Sequence, residues 1–259
     1  MPKLPRPKTS RPKTSRTKTP PAKTPRVMRL TAELVARVPP HVGETGRLTG
    51  RTDLASDADI ARYGTDLLAD RPGSGEVWIF AYGSLIWAPE FDYVEERLGT
   101  VQGWHRSFCL GWVRLYRGTP ERPGLMLALD RGGACKGVLF RLPPDGIEAN
   151  LAKILRREHP IKRVGKPDSR WMTAQTDQGP VKAIGFPISR KSDAYLPGLA
   201  TEQVVEALAT AAGERGSMAE YLHATLSHLQ ARGIHDSYLW KLQELVAHRI
   251  ENGPPAPPP

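Results

Sequence analysis

Apolar residues recur along this chain with two periods, and the switch between them divides it. Residues 31–38 (TAELVARV) carry helical spacing behind Thr31, a residue suited to capping, and residues 56–70 repeat that pattern over a longer stretch. From Glu76 the period shortens. Residues 77–81 (VWIFA) form an unbroken apolar run of strand length that ends on Tyr82-Gly83-Ser84, a turn signal. Residues 101–110, 125–129 and 136–142 are further predicted strands, each flanked by Gly, Pro or Asp, and Gly132-Gly133 reads as a turn between the last two. Residues 171–176 and 181–188 flank Asp177-Gln178-Gly179 and predict a hairpin. After Tyr195 the helical period returns over 201–212 and 217–232, the second opening with Ser217 and Glu220 in capping-box spacing and ending before Gly233. A last helix, capped by Asp236 or Ser237, has Leu239, Leu242, Val246 and Ile250 on one stripe. Five or more strands with a single helix among them, and no regular βαβ alternation, predict an α+β sheet or small barrel rather than a Rossmann fold.

Length and charge refine this picture. A chain of 259 residues suits one domain with extended ends, and 39% apolar with 25% charged residues excludes both a wholly disordered polymer and a membrane protein. No run approaches the ~18 apolar residues of a membrane-spanning helix. The net charge of +10 suggests nucleic acid until it is located: residues 1–26 hold nine Lys and Arg and no acid, so removing nine from +10 leaves about +1 for the body. Residues 6–25 are four pentapeptides with Lys-Thr in the third and fourth places, expected to be a solvated, polyproline-like tail. Such a tail either solubilises the chain or attracts nucleic acid weakly, with no aromatic residue to stack on bases. Residues 253–259 (GPPAPPP) read as a second disordered end.

Two cysteines, Cys109 and Cys135, without a CxxC pair support neither a disulfide framework nor a structural zinc site. The expected compartment is the cytoplasm, since the N-terminus lacks the apolar core of a secretory signal. His223 and His228 have no acidic ligand motif beside them, so no metal is expected. Trp78, Trp87, Trp104, His105 and Cys135 read as structural.

The segment 144–158 (PDGIEANLAKILRRE) carries the chemistry. Ile147, Leu151, Ile154 and Leu155 share one helix face, and at about 100° per residue Glu158 falls roughly 20° from Ile147, near the centre of that stripe. A carboxylate aimed inward is pushed towards a neutral pKa, as a general acid/base requires. The alternative is a surface residue at the helix end paired with Arg156, Arg157 or Lys162. The second candidate is the turn Tyr82-Gly83-Ser84-Leu85, whose backbone N–H groups suit a carboxylate or an oxyanion. Ser84 lacks the glycine elbow of a hydrolase nucleophile.

In this order the residues resemble the ChaC family of γ-glutamylcyclotransferases, its glutathione-specific branch. The matching segments are VWIFAYGSLIWAPEF (77–91), GWHRSFCL (103–110), RGTPERPGLMLALDRGGACKGVLFRLP (117–143), RRE (156–158) and YLHATLSHLQARGIHDSYL (221–239), within a resemblance that runs from about residue 30 to 249. The resemblance implies a small mixed β-barrel with surrounding helices, and a lyase activity that cleaves glutathione to 5-oxoproline and cysteinylglycine without a cofactor. It implies that Tyr82, Gly83, Ser84 and Leu85 bind substrate and that Glu158 is the catalytic glutamate, the same side chain that the stripe turns inward. Arg117, in the RGT turn, is a candidate for a substrate carboxylate, and Tyr195 for a hydroxyl in the site. The expected organisation is a basic tail (1–26), a helical lead-in (27–75), the cyclotransferase-like domain (76–251) and a Pro-rich stub (252–259). The chain departs from the family pattern just past Glu158, where His159-Pro160-Ile161-Lys162-Arg163-Val164-Gly165 leads by a longer path to Trp171. That departure bears on substrate preference and turnover, because the loop adjoins the catalytic position; His159 and the added cations are placed to contact a glutathione carboxylate. Pro160 is expected to stop the helix within a residue or two of Glu158. Other γ-glutamyl amines as substrates, and a non-catalytic binding module with a nucleic-acid-binding tail, are the competing readings.

Overall fold

A computed structural model describes residues 27–40, 53–114, 116–163 and 165–254. The repeat tail, 1–26, and the end of the Pro-rich stub, 255–259, lie outside the described residues. Helix α1 (Ala32–Ala36) is capped by Thr31, and α2 (Asp57–Ala69) begins with a reciprocal box in which Ser56 Oγ accepts from the Asp59 N–H and the Asp59 carboxylate accepts from the Ser56 N–H.

Strands β1 (Trp78–Ala81), β2 (Glu95–Val113), β3 (Gly124–Arg141), β4 (Arg170–Thr176) and β5 (Gly179–Gly185) form a closed barrel in the order β1-β3-β2-β4-β5. All neighbours are antiparallel except β1 and β5, whose parallel pairing of Trp78 with Ala183 and Ile79 with Ile184 closes the ring. Closure removes the exposed sheet edges that would otherwise invite aggregation. The barrel interior and the helix-facing sides share one core, which includes Ile79, Phe80, Leu129, Leu139, Ile184, Leu222 and Val246.

One expectation fails here. Gly132-Gly133 is not a turn: the separate strands expected at 125–129 and 136–142 are one continuous β3. Both glycines have positive φ, 113° and 65°, and they stand opposite the single Gly103 where pairing steps from Gln102–Ala134 to Trp104–Arg131. The pair is a β-bulge that bends β3 around the barrel.

Helix α3 (Ile147–Glu158) lies between β3 and β4. After the barrel come α4 (Thr201–Thr210), the two-residue strands β6 (Ala212–Gly213) and β7 (Gly216–Ser217), α5 (Met218–Ala231) and α6 (Ser237–Asn252). Ser217 caps α5 and Asp236 caps α6. The lead-in belongs to the same core: Leu30, Ile60, Tyr63 and Leu67 are buried with the barrel residues, and Gln243 of α6 accepts from the N–H groups of Arg29 and Leu30. Among the described residues no helix is long and apolar enough to cross a membrane.

Candidate active site

Strand β1 delivers its last residue, Ala81, into the predicted turn. Ser84–Ile86 form one 3-10 turn, with Ile86 N–H donating to the Gly83 carbonyl. The N–H groups of Ser84 and Leu85 therefore have no acceptor within the turn. Space at Gly83 is tight: a Cβ there would come within 3.1 Å of the Tyr221 hydroxyl. Arg106, 4% exposed, anchors the start of this turn from β2: its Nε donates to the Tyr82 carbonyl at 2.6 Å, Nη2 to the Lys136 carbonyl and Nη1 to Asp236 at 3.1 Å. The Tyr82 hydroxyl is turned away into the core, where it donates to the Phe186 carbonyl at 2.9 Å.

Glu158 ends α3 on the face that Leu151, Ile154 and Leu155 bury. His159 caps the helix and Pro160 follows, so the chain turns away where the sequence required. The carboxyl is ringed by protein, and 21% of the side chain remains accessible where it faces a cavity of about 1030 Å³. Burial raises its pKa to about 7, with the Arg157 guanidinium, 3.8 Å away, pulling modestly in the opposite direction. Of the partners that the surface alternative named, only Arg157 is near the carboxyl, at 3.8 Å, and it also reaches Glu90 and the Ala88 carbonyl; Arg156 pairs with Asp57 and Lys162 with Asp59.

Tyr82, Gly83, Ser84, Leu85, Arg117 and Glu158 all line this one cavity. Burial and the charge on Glu158 raise the pKa of Tyr82 well above that of a free phenol and push that of Tyr221 to about 12, so both remain protonated donors at neutral pH. Arg117 is held where the RGT turn folds tightly on itself. A Cβ at Gly118 would lie 2.3 Å from the Val113 carbonyl oxygen, so only glycine fits. Its Nη1 donates to the Ser217 carbonyl at 2.8 Å and pairs with Glu220 at 3.2 Å. The capping-box spacing of Ser217 and Glu220 is consequently half used: Ser217 caps the helix, while the Glu220 carboxylate turns to Arg117.

Tyr195 is placed elsewhere. Its hydroxyl donates to Asp130 at 3.1 Å, in a pair that Arg190 also grips, and its neighbour Ala194 lines the cavity in its stead. His159 does not supply a cation either. It is buried, hydrogen-bonds the Ser169 hydroxyl through Nε2 and packs against Tyr63 and Phe186, and burial lowers its pKa to about 4. Cys109 and Cys135 are buried thiols raised to about 11, too basic to act as nucleophiles at neutral pH. Among the described residues no group of three or more His, Cys, Asp or Glu is placed to hold a metal ion.

Tyr221 and Arg106 also build the site, though neither is among the candidates read from the sequence. Tyr221 is 2% exposed, hydrogen-bonds Ser84 and sits edge-on to Trp87 at 6.0 Å, with the Arg117 guanidinium 5.4 Å from its ring centre. Its signal was present: Tyr221 opens the matching segment 221–239 and is the one residue near the start of α5 that joins an aromatic face to a polar tip.

A closed barrel that brings a near-neutral carboxyl and a backbone turn to one cavity has the groups that acid/base chemistry uses. Residues 77–249 match the family model described as ChaC-like protein, and the chain belongs to that family. It is 36% identical over 191 residues to the glutathione-specific gamma-glutamylcyclotransferase of Escherichia coli, across 72% of this chain and 81% of that protein. To the human glutathione-specific gamma-glutamylcyclotransferase 1 it is 27% identical over 159 residues, across 61% and 71% of the two chains. The crystal structure of a yeast gamma-glutamyl cyclotransferase specific to glutathione shares the fold with a TM-score of 0.59 at 18% identity, covering 68% of this chain and 97% of that one.

Proposed function

We propose that this protein is a glutathione-specific γ-glutamylcyclotransferase that releases 5-oxoproline and cysteinylglycine. The observation that carries the reading is Glu158: a carboxyl with a pKa of about 7, at the buried end of α3, facing the cavity that the turn 82–85 also lines. The relatives' names supply glutathione as the substrate.

The reaction needs the α-amine of the γ-glutamyl unit to attack that unit's own γ-carbonyl. An ammonium cannot attack, so Glu158 as carboxylate takes the proton, then delivers one to the departing cysteinyl nitrogen as the C–N bond breaks. Proton transfer of this kind contributes about 10² to 10⁴ in rate. Because nucleophile and carbonyl share one molecule, the site has only to hold the arm folded. The N–H groups of the turn 82–85 face the carboxylate or the tetrahedral oxyanion, where preorganised donors are most effective. Arg117, with Tyr221 against it, lends positive charge to the same wall; part of that charge is spent on Glu220. The site lies in a cytoplasmic protein, and the basic tail adds only weak attraction for nucleic acid.

Product assay for 5-oxoproline with glutathione and with γ-glutamyl-alanine tests this directly. Glutathione is expected to be turned over far faster. Equal or reversed turnover would favour a cyclotransferase for other γ-glutamyl amines, and no product from either would remove the reading. Glu158→Gln is expected to keep the fold and lose activity.

A further inference from the structure

The cavity is larger than a γ-glutamyl head requires. At about 1030 Å³ it lies at the upper end of the range for sites that take a whole drug-sized ligand, volume enough for the complete tripeptide. Glutathione carries carboxylates at opposite ends. If the reacting end lies at Glu158 and the turn 82–85, the glycine carboxylate meets a different stretch of wall.

Most cations on that wall are committed. Lys153 pairs with Asp92, Arg156 with Asp57, Arg157 with Glu90 and Arg117 with Glu220. Arg215 has no carboxylate partner among the described residues, yet it is held in place. Its guanidinium lies over the Tyr116 ring at 4.6 Å from the centre, and its backbone N–H donates to the Tyr116 carbonyl at 2.8 Å. The hairpin of β6 and β7 that carries Arg215 is flush against this segment: a Cβ at Gly213 would lie 2.4 Å from the Tyr116 carbonyl oxygen. Tyr116 itself is fixed in the left-handed region, at φ 63°, just before the anchored Arg117. A stacked guanidinium keeps its N–H edge open, the geometry that grips a carboxylate through two parallel hydrogen bonds. Arg114 and Arg163 also line the cavity, without such a platform among the described residues.

We propose that Arg215, stacked on Tyr116, binds the glycine carboxylate of glutathione and sets the preference for the tripeptide over γ-glutamyl compounds that lack this group. The inference rests on the cyclotransferase reading above. It is tested by measuring kcat and KM for 5-oxoproline release from glutathione and from its glycyl ethyl ester, in the wild type and in Arg215→Ala and Arg215→Lys. The wild type is expected to prefer the free acid by about tenfold in kcat/KM, the low end for a hydrogen bond to a charged group. Arg215→Ala should raise KM for glutathione by a similar factor, leave kcat nearly unchanged and treat acid and ester alike, with Arg215→Lys between the two. An active wild type that does not distinguish acid from ester, or an alanine variant with unaltered KM, overturns the assignment to Arg215 alone. A wild type that releases no 5-oxoproline from either removes the cyclotransferase reading, and this inference with it. Since Arg215 is exposed and makes no ion pair among the described residues, a thermal melt of Arg215→Ala is expected to match the wild type.

Discussion

Glu158 combines two properties that normally exclude each other: it is nearly enclosed, and it is still able to lose its proton near neutral pH. Both follow from its position at the last turn of α3, where apolar neighbours strip away water while Arg157 keeps the charged form within reach. Activity on glutathione should therefore fall as pH drops below about 7, by tenfold per unit, as the base becomes protonated; a pH–rate profile flat to pH 5 would contradict this. The same burial has a cost in stability whose sign can be worked out. The folded protein holds the Glu158 proton up to about pH 7, whereas an unfolded glutamate releases it near 4.5, so between those values the folded state binds more protons and loses stability as pH rises. Across that window the loss amounts to at most about 3 kcal/mol. Glu158→Gln should match the wild type in urea unfolding at pH 4 and exceed it at pH 8, while releasing no 5-oxoproline. Equal stability at both values would mean that the carboxyl is not desolvated.

At the level of elements, the segment GG-x-C-x-G becomes intelligible as geometry. Gly132 and Gly133 bend β3 through its bulge, Cys135 fills the core opposite Val101, and Gly137 lets β1 approach. A Cβ at Gly137 would lie 2.4 Å from the Ala81 carbonyl oxygen and 2.7 Å from the Phe80 ring. Gly137→Ala is thus expected to cost about 1–3 kcal/mol through overpacking, read as a lower urea midpoint at unchanged slope. Because Ala81 leads directly into the turn 82–85, activity should fall with it; an alanine variant as stable and as active as the wild type would refute the contact. The sequence could not separate bulge from turn, since both need glycine at positive φ. Only the pairing of β3 with β2 on both sides of the pair decides between them. The helices were legible for the opposite reason: stripes and caps such as Ser56, Ser217 and Asp236 depend on neighbours three or four residues away.

For the whole molecule, charge and chemistry occupy different parts of the chain. Residues 1–26 carry nine cations, and the cavity is built from the turn after β1, parts of β2 and β3, α3, α5 and the loops after β2, α3 and β5. Removing residues 1–26 should leave kcat/KM for glutathione unchanged and abolish any salt-sensitive binding to DNA; a truncated protein with impaired turnover would place the tail in the reaction. The cavity also explains why some candidate residues converge and others do not. Arg117 is carried to it by the 116–124 loop folding onto β7 and α5, while Tyr195, one residue from the cavity wall, is held by the buried Asp130.

Read alone, the amino-acid order determined the periods, the caps, the turn after β1 and the azimuth of Glu158, all of which depend on the backbone within a few residues. Tertiary structure decided that this azimuth is covered, that His159 is a neutral core residue, that Tyr221 and Arg106 support the turn, and that Arg215, stacked on Tyr116, lines the cavity without a carboxylate partner among the described residues. The reason is physical. A side chain's direction is set by its own element, but its desolvation, its partners and its charge depend on what other elements bring against it, and those arrive from a hundred residues away.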